Sequence, residues 1–145
     1  MLDIEAVNHV GIRVRSRERS VAFYERLGFA LERDAGFEAG HPVILRHPSG
    51  VVLNLLGPAS DETPRNVLMD VPEKHTGITH FALTVASIPA ARATLEAGGI
   101  EITGSFSFEG MSAIFVRDPD RTVIELDAYD DAATDSPDGY ASHPE

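Results

Sequence analysis

The chain opens on an alternating run, VNHVGIRV, in which Val10, Ile12 and Val14 fall on one side of an extended strand and His9 and Gly11 on the other. A second run of the same spacing, ITHFALTV, sets Phe81, Leu83 and Val85 against His80 and Ala82. After each run the apolar spacing becomes helical. Ser16 is placed to cap a helix carrying Val21, Phe23, Tyr24 and Leu27, with Gly28 ending it in a left-handed turn. Ser87 and Gly98 bracket the second helix, and Pro89 falls in its first turn, where a missing N–H costs nothing. The rest of each stretch reads as short strands around tight loops, VILRHPSGVVLNLL turning at Pro48-Ser49-Gly50 and AIFVRDPDRTVIEL at Asp118-Pro119-Asp120.

The two stretches are copies. At an offset of 71 residues, 8–56 align with 79–127 without a gap, and 12 of the 49 pairs are identical, among them His9/His80, Ser16/Ser87, Gly28/Gly99, Arg46/Arg117, Pro48/Pro119 and Leu55/Leu126. Chance pairing at average residue usage gives roughly three. The predicted architecture is therefore α+β: two tandem βαβββ modules, at about 6–56 and 79–127, with the helices on the outside. Residues 57–78 hold three prolines and no sustained period and read as a connector. The acidic stretch 128–145 reads as a mobile tail, and the whole as a single domain of 145 residues.

Composition narrows the chemistry. A formal net charge of -11 with no compensating Lys/Arg cluster argues against nucleic acid and anionic membranes as partners. No run approaches the roughly 18 apolar residues of a membrane span, and the acidic start is unlike a secretion signal, so a cytoplasmic protein is expected. Cysteine is absent, which leaves only nitrogen and oxygen donors for any metal.

Such donors occur at matched places. The last strand of each copy puts Asn54 opposite Leu53 and Leu55, and Glu125 opposite Ile124 and Leu126, so each polar side chain faces away from the apolar set. The distance from His9 to Asn54 equals that from His80 to Glu125, and a pseudo-twofold brings all four side chains together. A lone strand histidine is usually a satisfied core residue; two at equivalent repeat positions with a carboxylate at a third favour ligands. Two imidazoles and a carboxylate suit one divalent ion, Zn, Ni, Mn or Fe, with positions open for water or substrate. His75 and Lys74 read as solvated loop residues rather than a lid, Phe37/Glu38 and Phe108/Glu109 as structural strand residues, and Phe23 and Tyr24 as core.

On NHVGIRV, SVAFYERLGF, THFALTV and FVRDPDRTVIEL, residues 6–127 resemble the vicinal oxygen chelate superfamily, which includes lactoylglutathione lyases, methylmalonyl-CoA epimerases, extradiol dioxygenases, fosfomycin-resistance transferases and bleomycin-binding proteins. The resemblance implies a cupped sheet around a metal, with His9, His80 and Glu125 on three ligand positions. Asn54 falls on the fourth, as a ligand through its amide oxygen or as a substrate contact. Arg121 stands where the family's final hairpin usually has glycine, which asks it to accept a positive φ.

The implied activity is a metal-dependent lyase or isomerase of glyoxalase type, acting on a small substrate that chelates the ion through adjacent oxygens, with Glu125 carrying the proton. The alternatives are a single-domain ferrous extradiol dioxygenase, a thiol transferase for an anionic antibiotic contacted by Arg117 or Arg121, and a non-catalytic drug-binding protein. A homodimer is expected, because family members bury helix and edge surfaces between subunits.

Overall fold

The computed structural model describes residues 1–129 and the backbone of 139–142. The chain divides into two compact units, 1–63 and 64–145. Among the described residues no helix is long and apolar enough to cross a membrane.

Unit 1 consists of β1 (Val10–Arg13), α1 (Arg17–Arg26), β2 (Ala30–Asp34), β3 (Val43–Arg46) and β4 (Val52–Leu56) in a sheet of order β1-β4-β3-β2. Unit 2 repeats this with β5 (His80–Thr84), α2 (Ile88–Ala97), β6 (Ile102–Phe108), β7 (Met111–Arg117) and β8 (Val123–Tyr129), and adds β9 (Gly139–Ser142) outside β6. In both, the helix carries the chain to the far edge, and an antiparallel meander returns the last strand to lie parallel beside the first. The architecture is the expected pair of βαβββ modules, each with its own sheet.

The gapless alignment holds at the level of hydrogen-bond register. Gly11 pairs with Asn54 as Ala82 pairs with Glu125, and Ile44 with Asn54 as Phe115 with Glu125. A bulge between Leu31 and Arg33 recurs between Ile102 and Gly104. The helices superpose in sequence too. Ser16 accepts a hydrogen bond from the Arg19 amide at 3.3 Å, and Ser87 does the same for Ala90. Gly28 has φ 97 and its equivalent Gly99 has φ 67, while Gly98 is right-handed at φ -81, so the left-handed stop of α2 is Gly99 rather than Gly98.

The final hairpins match as well. His47 Nδ1 accepts from the Ser49 amide, and at the equivalent place the Asp118 carboxylate accepts from the amides of Asp120 and Thr122 at 2.9 Å each. Gly50 closes the first turn at φ 98 and Arg121 the second at φ 69, so the arginine does adopt the left-handed conformation its position requires.

The core of unit 1 is Val14, Tyr24, Val43, Leu45, Leu53 and Leu55, all fully buried; in unit 2, Ile114, Val116, Ile124 and Ala128 play that part. Phe23 is 4% exposed, so both helix aromatics are core as expected.

Two expectations differ. Phe37–Ala39 form a 3-10 turn rather than a strand, because left-handed Gly36 and Gly40 break the extended backbone on either side, and Glu109 likewise sits in a turn at φ 47. The acidic tail was expected to begin at 128, but β8 runs through Tyr129 with Ala128 fully buried, and Gly139–Ser142 pair with β6. The expected mobility of 130–138 and 143–145 lies outside the described residues.

Phe37 is 4% exposed and its ring lies flat over Gly57, where a Cβ would stand 1.8 Å from Phe37 Cζ. Since a buried ring has little room to retreat, Gly57→Ala is expected to destabilise the protein by about 1–3 kcal/mol. Phe37→Leu in the same chain is expected to recover part of that. Chemical denaturation checks both, and an unchanged midpoint in the single variant refutes the packing argument.

Candidate metal and active site

His80 opens β5, and Glu125 lies one strand away on β8. Facing residues across this parallel pair are Ala82 and Glu125, and both His80 and Glu125 project from the face opposite the helix, because Phe81, Leu83, Ile124 and Leu126 take the other. His80 Nε2 and Glu125 Oε2 meet at 2.8 Å. The histidine side chain is 39% exposed and the glutamate 13%. His80 Nδ1 is engaged by Thr79 Oγ1 at 2.8 Å, so the ring is held at one nitrogen and presents the other to Glu125.

Burial raises the Glu125 carboxyl above its ordinary range. Asp127, two residues on along the same face, raises it further through a hydrogen bond and its charge, and His80 works in the opposite direction. Asp127 Oδ1 is itself buried and has no hydrogen-bond partner among the described residues. The alternation that carries Glu125 also passes through Asp127, but its repeat partner is Leu56, so no matched polar pair marks it in the sequence.

In unit 1, His9 immediately precedes β1, is exposed, and hydrogen-bonds through Nδ1 to Asn8 Oδ1 at 2.8 Å. Asn54 lies on β4 in register with Gly11, on the face away from Leu53 and Leu55. A Cβ added at Gly11 would meet only Leu56 Cδ1, at 3.7 Å, so this stretch of sheet is open. Among the described residues, no group of three or more His, Asp or Glu side chains is placed to hold a metal ion.

Arg117 and Arg121 both pair with Asp70. Arg117 places Nη1 and Nη2 3.0 and 2.8 Å from the two Asp70 oxygens, and Arg121 Nε lies 2.7 Å from Asp70 Oδ2. Arg117 Nη1 and the Asn66 amide also donate to the Arg121 carbonyl. The segment read as a plain connector thus carries the acid that locks both arginines. Burial pushes the Asp70 carboxyl up, but the hydrogen bonds from Arg121 and then Arg117, with their charges, outweigh it and hold the group below the ordinary value of 3.8.

The family model for the glyoxalase/bleomycin resistance protein/dioxygenase superfamily matches residues 6–126. Glyoxylase I 4 of Arabidopsis thaliana is 26% identical over 134 residues, which are 86% of this chain and 71% of that protein. The crystal structure of SMU.1112c is 26% identical with a TM-score of 0.71, covering 87% of this chain and 100% of that one. A mutant of the fosfomycin resistance protein FosX from Listeria monocytogenes, complexed with Mn(II) and dihydroxypropylphosphonic acid, shares the fold at 16% identity and a TM-score of 0.61, over 91% and 93% of the two chains.

Asp70→Asn is expected to lower the melting temperature at neutral pH by a few degrees, since two guanidinium groups lose their carboxylate. A depressed carboxyl stabilises the fold fully above its unfolded value and progressively less as pH falls through its folded value. Wild type should therefore lose this contribution on acidification below the ordinary value of 3.8, and the Asn variant should lack that part of the decline. Parallel profiles of melting temperature against pH for the two proteins refute the assignment.

Proposed function

Since the chain belongs to the glyoxalase/bleomycin resistance protein/dioxygenase superfamily, we propose that it is a divalent-metal-dependent lyase or isomerase of glyoxalase type, with its cation held by His9, His80 and Glu125. The observation that carries this reading is the 2.8 Å meeting of His80 Nε2 and Glu125 Oε2, a nitrogen and an oxygen donor on one open face. The fit to a cation is chemical. The Thr79 hydroxyl can donate to His80 Nδ1 or accept from it, so Nε2 can carry a proton toward Glu125 or present a lone pair to a metal, with the ring held the same way in both states. His9 enters the ligand set by repeat equivalence with His80.

When bound, the cation supplies Lewis-acid polarisation of adjacent substrate oxygens and stabilises negative charge developing there. The chain's own residues supply the proton transfer. Burial and Asp127 raise the proton affinity of Glu125 toward the working range of a general base, which suits it to take a proton from substrate carbon and return it nearby. Asn54 is an amide and accepts no proton, so one carboxyl serves both transfers. The name of the Arabidopsis relative favours this chemistry. The transferase reading asks Arg117 or Arg121 to meet an anion, and both are paired with Asp70. On this reading the partners are a small-molecule substrate and a second copy of the chain.

Metal content and turnover should separate across three variants, assayed on glutathione adducts of 2-oxoaldehydes, acyl-CoA epimers and catechols. Glu125→Gln is expected to lose activity by at least about 100-fold while keeping part of its metal, because the amide oxygen still coordinates but accepts no proton. His9→Ala and His80→Ala are expected to weaken metal binding itself by about tenfold or more. Full activity in the Gln variant removes Glu125 as the base, and unchanged metal content in both Ala variants removes the site.

A further inference from the structure

The face of unit 2 that carries His80 and Glu125 continues across the sheet as an apolar surface. Register defines it row by row. Phe115 lies directly across from Glu125 on β7, Ala113 across from Asp127, and Met111 across from Tyr129. On β6, Phe106 pairs with Ala113 and Phe108 with Met111, and the two phenylalanine rings lie 6.4 Å apart. Directly opposed residues share a face, so Phe115, Phe106, Phe108 and Met111 form one pavement that begins a single strand spacing, about 5 Å, from the catalytic carboxylate.

The fold does not require these side chains. The repeat partners of Phe106, Met111 and Phe115 are Ala35, Gly40 and Ile44. Phe108 has an identical partner, Phe37, with the opposite fate: Phe37 is 4% exposed beneath its own unit, whereas Phe108 is 52% exposed. Tyr129, at the end of the same face, is 55% exposed. The helix side of this sheet takes the aliphatic core, Ile114, Val116, Ile124 and Leu126, together with Ser107 and Ser112, which are buried and hydrogen-bonded to each other at 2.8 Å. All three phenylalanines of β6 and β7 therefore stand on the reactive face, and none contributes to the aliphatic core on the other side.

We propose that this pavement is the substrate-specificity surface of the site: Phe115, Phe106, Phe108 and Met111 seat an aromatic or extended hydrocarbon arm of a substrate whose adjacent oxygens lie at His80 and Glu125. This rests on the reading of His80 and Glu125 as the reactive end. Ala113, only 1% exposed, lies between Asp127 and Phe106 and separates the polar row from the aromatic one. Aromatic rings prefer offset or edge-on contact with other rings, which makes a phenyl-bearing substrate the best complement to three phenylalanines.

Two measurements keep this inference apart from the metal reading. In metal-free protein, benzyl alcohol titrated against side-chain NMR signals is expected to shift Phe106, Phe108, Phe115 and Met111. In metal-loaded protein, 3-phenylpropionohydroxamate is expected to bind about tenfold more tightly than acetohydroxamate, which carries the same chelating oxygens without the arm. Phe115→Leu, and Phe108→Ala at a position too exposed to threaten folding, should each reduce that preference to about threefold or less. A preference unchanged in both variants, or benzyl alcohol shifts that avoid these four residues, overturns the proposal. Shifts on these residues in a protein that binds no metal leave the aromatic surface standing and remove the metal reading alone.

Discussion

In each unit the first strand runs parallel beside the last, and because a strand presents alternate residues to alternate faces, that one pairing decides whether His80 and Glu125 look at each other or at opposite sides of the sheet. A slip of one residue would turn Glu125 into the helix-packed core and expose Ile124. The register is held by apolar anchors on the other face. Ile124 is fully buried and Leu126 nearly so, as Leu53 and Leu55 are around Asn54. Leaving those side chains in water would cost roughly 1.5–3 kcal/mol each. The site's geometry is therefore secured by residues that take no part in its chemistry.

Much of this was legible because the duplication has no gaps. Strand pattern, helix caps and turn residues occur twice, and each copy checks the other: Ser16 and Ser87 cap equivalent helices, and Gly50 announces the left-handed conformation that Arg121 must share. Where the copies diverge, sequence alone was a poorer guide. Gly98 and Gly99 are adjacent, and only the repeat partner Gly28 singles out the second. The turn at Phe37 arises from two flanking glycines, whereas the equivalent stretch stays extended as far as Phe108 and turns at Glu109.

Contacts distant in sequence account for the other gap. Arg117 and Arg121 looked available to an anionic substrate because their partner, Asp70, lies 47 and 51 residues away in a segment without periodic signal. Asp127 is inconspicuous in the sequence because the duplication marks positions that match, and this one pairs an acid with Leu56. Both omissions have one cause: a duplicated backbone is conspicuous in sequence, whereas functional side chains are often those by which the copies have come to differ.

That divergence has a direction. On the open face, unit 2 holds Glu125, Asp127, Phe115 and Phe106 where unit 1 holds Asn54, Leu56, Ile44 and Ala35. Burial and Asp127 already raise the proton affinity of Glu125, and in the metal site we propose a carboxylate at position 54 would add like-charge repulsion that only a proton or a cation relieves. An amide at position 54 adds no charge and keeps an oxygen donor. It also removes a second base, so a reaction needing proton removal on one face of a carbon and delivery on the other has no matched pair of acids to use. Enediolate chemistry, in which one group takes a proton from one carbon and returns it to the next, makes no such demand, and it is the chemistry that one raised carboxyl beside a held imidazole supports best.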